Sequence, residues 1–193
     1  MEETNVWWSD NLSIPDYKAR DIYQEIKRFM KTRQIVSITG LRRAGKTTIM
    51  LKFIKEYLNN NFPKRNIFYF SFDDYSSVRI SEIIDIYQEL WDKDLRSENY
   101  LFVFDEIQKI KNWEEQLKRV YDIYPKIKFL ISGSESLFIR RKSRESLAGR
   151  IFEFKLNPLN FKEYLNFKDK KFDNLNIYGG EILKEFNSFL ICN

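Results

Sequence analysis

The sequence of 193 residues contains no histidine and only one cysteine, Cys192. Without histidine the chain cannot form a Ser-His-Asp triad, a Cys-His pair or a zinc site with histidine ligands, and one cysteine cannot supply a cluster of thiolates. A single cysteine also excludes an intrachain disulfide, which is usual in the cytosol, so we expect a cytoplasmic location. The remaining chemistry uses carboxylates, lysine, arginine and hydroxyl groups, together with metal ions that prefer oxygen ligands.

Long apolar runs are also missing. No stretch reaches the roughly 18 uninterrupted apolar residues of a membrane-spanning helix, so we expect no membrane contact. Residues 1–10 are acidic and include Trp7 and Trp8, so they lack the basic and apolar blocks of a signal peptide. The formal charge of +5 is compatible with nucleic-acid contact, although so small an excess is also common in proteins that bind no nucleic acid.

What the sequence does contain is an alternation of short β-branched or aromatic runs with longer segments of helical period. The predicted strands are residues 34–39, 66–72, 100–105, 127–132 and 150–156. The predicted helices are residues 21–30, 47–58, 80–91, 113–124 and 135–144. Asn112 followed by Glu115 predicts a capping box at the start of helix 113–124. Runs such as 100–104 are apolar on both faces, which is typical of a buried parallel sheet, so we predict a three-layer α/β fold.

The segment GLRRAGKT, residues 40–47, matches the phosphate-loop pattern G-x-x-x-x-G-K-[ST] in full. Gly40 and Gly45 allow backbone angles and close approaches that a Cβ would block, so successive N–H groups can form an anion nest at the start of the next helix. Lys46 can neutralise the β- and γ-phosphates, and the Thr47 hydroxyl can bind Mg²⁺. The alternative is an ordinary turn with a surface lysine. The predicted strand before the segment and helix after it favour a site for a nucleoside triphosphate.

A second candidate feature is the acidic pair Asp105-Glu106, which follows four apolar residues. Such a strand delivers carboxylates to its carboxyl end, where ligands of open α/β sheets bind. We predict that Asp105 holds Mg²⁺, mostly through its water shell, and that Glu106 acts as the general base on a water in line with the γ-phosphate. The alternative is that Asp105 caps the following turn and Glu106 is a solvated charge.

A third feature is Ser132-Gly133-Ser134 at the end of strand 127–132. In phosphate-loop hydrolases with an inserted strand, a polar residue here touches the γ-phosphate or its attacking water, and either serine fits. A strand followed by a serine-capped helix fits equally well. The residues predicted to contact the nucleotide are Gly40, Leu41, Arg42, Arg43, Ala44, Gly45, Lys46, Thr47, Thr48, Ser132 and Ser134.

Basic residues follow this strand. Arg140, Arg141, Lys142 and Arg144 form a cluster, for which a solvated face is the favoured interpretation and nucleic-acid binding the alternative. Arg150 stands apart after Ala148-Gly149, at the start of a strand. We predict an arginine finger there, a cation for the charge that develops on phosphoryl transfer. The alternative is that it only pairs with a nearby carboxylate such as Glu153.

Together these motifs resemble the archaeal and bacterial ATPases of the AAA+ superfamily that are often called archaeal-type predicted ATPases. The resemblance runs from about residue 34 to 165 and rests on TGLRRAGKTT, LFVFDEIQKIKNWEEQLKRVYD, FLISGSES and SLAGRIFEFKLNPLNFKEYL. It implies an ATP-binding core with a five-stranded parallel sheet of order 5-1-4-3-2. By the same analogy Arg42 lies in the phosphate loop, Gln108 follows the acidic pair, and Arg150 acts on the nucleotide of a neighbouring subunit in a homo-oligomer. Lys46, Glu106 and Arg150 are then the catalytic residues.

Members of such families continue into a helical lid and a further domain, often one that binds DNA. We expect an ATPase core with an N-terminal helical extension at residues 1–165 and the start of an incomplete lid at 166–193, signalled by Tyr178-Gly179-Gly180. The apolar residues of one helical face follow, namely Ile182, Leu183, Phe186, Phe189 and Leu190. This face either folds back on the core or is covered by another chain, unless the protein is a truncated remnant.

The leading functional prediction is an Mg²⁺-dependent ATPase coupled to an unknown partner, DNA or protein. A phosphate-loop kinase for a small molecule and a non-catalytic nucleotide-binding module are the alternatives. Glu106 as base and the serine-rich strand end favour water as the phosphate acceptor.

Overall fold

The computed structural model describes residues 3–9, 14–75, 77–134, 146–170 and 175–192. The predicted helix 135–144 and the basic cluster at 140–144 lie outside these residues.

Within the described residues, five parallel strands form a sheet of order β2-β3-β4-β1-β5. The strands are β1 (Ile35–Gly40), β2 (Ile67–Ser71), β3 (Tyr100–Asp105), β4 (Ile127–Gly133) and β5 (Ile151–Leu156). Read from the other edge this is the predicted order 5-1-4-3-2, so the predicted fold class is confirmed. β1 lies between β4 and β5, with Val36 opposite Leu130 and Ile35 opposite Ile151. The loop after β1 therefore emerges at the carboxyl edge of the sheet, between β4 and β5.

The described helices are α1 (Tyr23–Met30), α2 (Lys46–Asn59), α3 (Ile80–Trp91), α4 (Trp113–Ile123), α5 (Phe161–Phe167) and α6 (Leu175–Cys192). Successive β3 residues alternate between two cores. Phe102 and Phe104 pack with α3 and α4 on one face, whereas Leu101 and Val103 pack with α1 and α2 on the other. Burying one such side chain contributes about 1.5–3 kcal/mol. Burial on both faces explains the continuous apolar run in β3 and gives the three layers.

The start of α4 corrects one local prediction. Asn112 precedes this helix with a φ of 52°, in the left-handed region, and its side chain makes no capping hydrogen bond. A capping residue needs an extended backbone to turn its side chain onto the first N–H groups of the helix. The predicted capping box is therefore wrong.

The N-terminal segment lies along β2, which is an edge strand. The Asn5 side chain accepts a hydrogen bond from the backbone N–H of Tyr69 at 2.7 Å and donates one to its carbonyl at 3.0 Å. The indole N–H groups of Trp7 and Trp8 both donate to the Ile67 carbonyl, at 3.1 and 2.9 Å. These contacts satisfy backbone groups that an uncovered edge would leave unpaired.

The C-terminal helix α6 packs in part against α5. The Phe161 ring lies 5.1 Å from that of Phe186 and 5.6 Å from that of Phe189, measured between centroids. Leu183 and Leu190 remain 61% and 59% exposed. The predicted apolar face is thus folded back along one side and open along the other.

No helix in the described part of the chain is both long enough and apolar enough to cross a membrane.

Candidate nucleotide-binding site

The loop between β1 and α2 has the backbone geometry that its glycines permit. A Cβ on Gly40 would lie only 2.4 Å from the Leu156 carbonyl oxygen of β5, so any larger residue at this position would clash with the β5 backbone. Gly45 has a φ of +96°, in the region that L-residues rarely adopt. Lys46 begins α2 directly afterwards. The first N–H groups of a helix have no acceptor within that helix, so this end of α2 can bind an anion.

Lys46 occupies the centre of the site and is only 5% exposed. Its ammonium group donates to the carbonyls of Gly40 and Leu41 at 3.3 and 3.1 Å and lies 3.4 Å from Oε1 of Glu106. A buried charge needs such partners, because desolvation otherwise costs several kcal/mol. Phosphate oxygens placed in the loop could take over the same ammonium hydrogens.

The Asp105 carboxylate is 3% exposed and accepts hydrogen bonds at both oxygens. The Thr47 hydroxyl donates to Oδ2 at 2.6 Å, and the Tyr69 hydroxyl donates to the same oxygen at 3.0 Å. The Ser132 hydroxyl and the backbone N–H of Glu106 donate to Oδ1. Four donors on two oxygens fix the orientation of this carboxylate.

These donors also show what the site can hold. Thr47 and Asp105 place a hydroxyl oxygen and a carboxylate oxygen next to the phosphate loop, and hard oxygen ligands suit Mg²⁺. Burial raises the pKa of Tyr69, and the negative charge of Asp105 raises it further, so the phenol stays protonated and continues to donate. The residues present therefore fit a magnesium ion bound beside a phosphate group.

Glu106 lies at a strained turn directly after β3, with a φ of 53°. Its Oε2 accepts a hydrogen bond from the Gln108 amide, while Oε1 faces Lys46. Its backbone N–H donates to the Ser132 hydroxyl at 3.1 Å. Of the two candidate serines, the structure therefore brings Ser132 into contact with the acidic pair, although its hydroxyl is already engaged there.

A cavity of about 470 Å³ lies beside the phosphate loop. It is lined by Lys18, Arg20, Leu41, Arg42, Arg43, Ala44, Gly45, Thr48, Ile49, Lys52, Pro158, Leu159 and Phe167. Five of these side chains are cationic and none is acidic. Lys18 and Arg20 are paired with Asp169 and Glu163, so Arg42, Arg43 and Lys52 contribute most of the positive charge that favours an anion here. The apolar side chains Ile49, Leu159 and Phe167 offer a surface for a flat ring. The cavity thus has room and chemistry for a nucleotide whose phosphates lie in the loop.

Comparison with known proteins gives the family of the chain. The sequence pattern of the AAA domain family matches residues 32–165, which include every strand of the sheet. The chain belongs to this family. It is an AAA+ P-loop NTPase domain, and membership places it among nucleotide-binding domains of the ATPase type.

The curated relatives of this AAA domain are longer than the chain itself. An uncharacterized protein of Methanocaldococcus jannaschii, MJ1544, is 33% identical over 187 residues, which cover 94% of this chain and 40% of that protein. An uncharacterized protein of Haemophilus influenzae is 28% identical over 174 residues, which cover 84% of this chain and 43% of that protein. The chain therefore spans about two fifths of the length of these relatives.

Two solved structures share the fold of the AAA domain at low sequence identity. A DNA polymerase III gamma subunit-related protein from Thermotoga maritima superimposes with a TM-score of 0.54 at 12% identity, over 86% of this chain and 58% of that one. AMPPCP-bound DnaA from Aquifex aeolicus gives a TM-score of 0.52 at 14% identity, over 84% of this chain and 56% of that one.

Arg150 lies far from the phosphate loop of its own AAA domain. Its carbonyl accepts a hydrogen bond from the Ile35 N–H, where β1 begins, so it sits at the amino edge of the sheet, whereas the loop follows the carboxyl edge. Its guanidinium pairs with Asp122 of α4 at 3.1 Å. A role for Arg150 at a nucleotide would have to be played on another subunit.

Two residues of the site were not singled out from the sequence. Tyr69 reaches Asp105 from the neighbouring strand, and Arg20 enters the cavity wall from the segment before α1. A phenol inside a strand and an arginine before a helix carry no local signal of either contact. Only the strand order and the path of the N-terminal segment bring them to the loop.

Proposed function

We propose that this AAA domain binds ATP with Mg²⁺ and hydrolyses it, and that hydrolysis is coupled to a partner. The observation that carries the proposal is the convergence of Lys46, Thr47, Asp105 and Glu106 at one edge of the sheet. The contacts between Lys46 and Glu106 and between Thr47 and Asp105 join the phosphate loop to the acidic pair.

Each of these side chains has a task in the proposed reaction. Lys46 exchanges its contact with Glu106 for phosphate oxygens and neutralises part of their charge. Asp105 and Thr47 would hold Mg²⁺, which supplies positive charge to the phosphates. Thr48, Leu41, Arg42, Arg43 and Ala44 complete the nucleotide contacts of the loop.

The exchange leaves Oε1 of Glu106 free to accept a proton. A water molecule attacks the γ-phosphorus, the new P–O bond forms, and the bond to the ADP oxygen breaks. Glu106 takes the proton that the water loses. Gln108 holds the other oxygen of the carboxylate in place, because its amide donates to Oε2.

The proposed roles of Arg150 and of a partner molecule both require contacts between this chain and other molecules. We propose that Arg150 reaches the nucleotide of an adjacent copy in a homo-oligomer, since it lies at the opposite edge of the sheet from its own phosphate loop. The structural neighbours bear the names of DnaA and of a DNA polymerase III gamma subunit-related protein, and the net charge of +5 is compatible with DNA as partner. Ser132 and Ser134 are the two candidates for contact with the γ-phosphate.

The proposal is tested by phosphate release from ATP. Glu106→Gln should retain ATP binding and lose about 10²–10⁴-fold in rate, because glutamine keeps the shape and loses the base. Glu89→Gln, an exposed position on α3, is the matched control and should behave like the parent. Equal rates in the parent and Glu106→Gln would remove the base assignment. Release that requires an added acceptor would select a kinase, and tight binding without turnover would select a non-catalytic module.

A further inference from the structure

Arg20 is a buried hydrogen-bonding centre between three parts of the chain. It is 8% exposed, and its Nε and Nη2 donate to the two carboxylate oxygens of Glu163 at 2.8 and 3.0 Å. Nη2 also donates to the Asn157 carbonyl at 2.8 Å, and Nη1 donates to the Ala44 carbonyl at 2.8 Å. The last contact reaches directly into the phosphate loop. The reaction proposed above does not use it.

The contact at Ala44 fixes the direction of the next N–H group. A trans peptide is planar, so its C=O and N–H point in opposite directions, and the described residues contain no cis peptide bond. Since the Ala44 carbonyl points toward Arg20, the Gly45 N–H points away from it. No hydrogen bond within the described part of the chain uses this N–H. It is therefore available to a ligand in the loop.

The same peptide is easy to rotate unless something holds it. Gly45 has a φ of +96°, and glycine adopts positive and negative φ about equally well. The Ala44–Gly45 peptide can thus flip at small steric cost, which would aim a carbonyl oxygen at a bound phosphate. Such an oxygen repels an anion where the N–H would bind it. A hydrogen bond to a charged donor on the far side opposes the flip.

Arg20 is itself held rigidly enough to serve this purpose. Burial raises the pKa of Glu163, but the hydrogen bonds from Arg20 and from the backbone N–H groups of Asp21 and Asn160 lower it more, so the carboxylate stays ionised. The forked guanidinium is bound at both oxygens of that carboxylate, which leaves Nη1 a single direction.

We propose that Arg20 is a positioning residue for phosphate binding, which holds the Ala44–Gly45 peptide so that the Gly45 N–H faces the nucleotide. The inference rests on the proposed nucleotide binding. Arg20 lies outside the loop, but it determines whether the N–H or the carbonyl of this peptide faces the phosphate.

The test compares ADP binding by the parent, by Arg20→Lys and by the control Arg28→Lys. Lysine keeps the positive charge beside Glu163, but one ammonium group cannot span Glu163, Ala44 and Asn157. A hydrogen bond to a charged group is strong enough to change affinity at least tenfold, so Arg20→Lys should bind ADP at least ten times more weakly. Arg28 is exposed on α1, and Arg28→Lys should bind like the parent.

A second readout separates positioning from a loss of structure. The chain has only six glycines, so selective ¹⁵N-glycine labelling gives a spectrum in which each amide can be followed. Saturating ADP should shift the Gly45 amide proton in the parent, and this shift should be reduced in Arg20→Lys even at saturation. Gly149 precedes β5 at the amino edge of the sheet, and the chemical shift of its amide should be the same in both proteins. If Arg20→Lys does not fold, the double variant Arg20→Met/Glu163→Met leaves no unpaired buried charge and should show the same loss.

The outcomes are distinct. Parent protein that binds no ADP or ATP would contradict the proposed function itself. A parent that binds ADP, with an Arg20 variant of equal affinity and equal Gly45 shift, would overturn only the role of Arg20. An Arg20 variant in which the glycine amides all move, including that of Gly149, would also overturn it, because the effect would then be a general loss of structure.

Discussion

Replacing Asn5 by alanine should destabilise the whole domain, although the residue lies near the start of the chain. Asn5 is 1% exposed, and its amide pairs with both backbone groups of Tyr69 on the edge strand β2. Alanine leaves that N–H and that carbonyl in place without their partners. Trp7 and Trp8 still donate to the neighbouring Ile67 carbonyl, and Tyr69 is only 9% exposed, so these two backbone groups have little access to water.

The size of the effect follows from these two hydrogen bonds. A buried backbone group that loses its partner costs about 1–3 kcal/mol, so the two together should lower the free energy of unfolding by about 2–6 kcal/mol. Domains are stable by about 5–15 kcal/mol, so this is a large share of the total. The same change loosens Tyr69, whose hydroxyl donates to Asp105, so the candidate metal site should loosen as well.

Urea unfolding followed by circular dichroism measures this free energy. Asn60→Ala is the matched control, because the Asn60 amide donates to the Glu56 carbonyl at an exposed position, and it should cost less than about 1 kcal/mol. A loss below about 0.5 kcal/mol for Asn5→Ala would show that the N-terminal segment does not hold β2, and would refute the reasoning.

Two further predictions concern Lys128 and Arg150. Burial lowers the pKa of Lys128 to about 7, while its ammonium group donates to the carbonyls of Phe29 and Thr32. In the unfolded chain the Lys128 side chain keeps its proton to about pH 10.5, so the unfolded state binds more protons than the folded state between pH 7 and 10. The free energy of unfolding of the parent, relative to that of Lys128→Met, should therefore rise over this range in urea titrations. A difference that does not change with pH would contradict the lowered pKa. If Arg150 acts across a subunit boundary, an Arg150→Ala chain mixed with a Glu106→Gln chain should recover ATPase activity that neither has alone, since arginine fingers contribute about 10³–10⁵ in rate. If the parent is active and the two variants are shown to assemble together, a mixture without ATPase activity would contradict the role of Arg150 as an arginine finger.

The strands and the phosphate loop could be predicted because their signals are local. The run 100–104 is apolar on both faces, and the predicted strand 100–105 has the same bounds as β3. The predicted strand 34–39 is shifted by one residue from β1. The loop pattern requires glycine where the backbone adopts a positive φ, and Gly45 has such a φ. The order of the strands came from the family resemblance, because no run of residues encodes its neighbour in a sheet.

The supporting residues could not be predicted, because each acts on a distant part of the sequence. Tyr69 bonds to Asp105 across 36 residues, Asn5 to Tyr69 across 64, and Arg20 to Glu163 across 143. Such contacts depend on the strand order and on the path of a segment without regular structure. Asn112 shows the opposite failure, since its residue type predicts a cap but its left-handed backbone prevents one.

The central claim is that the loop at residues 40–47 binds a nucleoside triphosphate through Lys46, and an equilibrium titration with ATP and Mg²⁺ tests it most directly. The parent should bind, and Lys46→Ala should bind at least tenfold more weakly, because a charged hydrogen bond contributes about 1.5–3 kcal/mol. The control Lys31→Ala, at an exposed position after α1, should match the parent. Equal affinity in the parent and Lys46→Ala, or no ATP binding by the folded parent, would contradict the account.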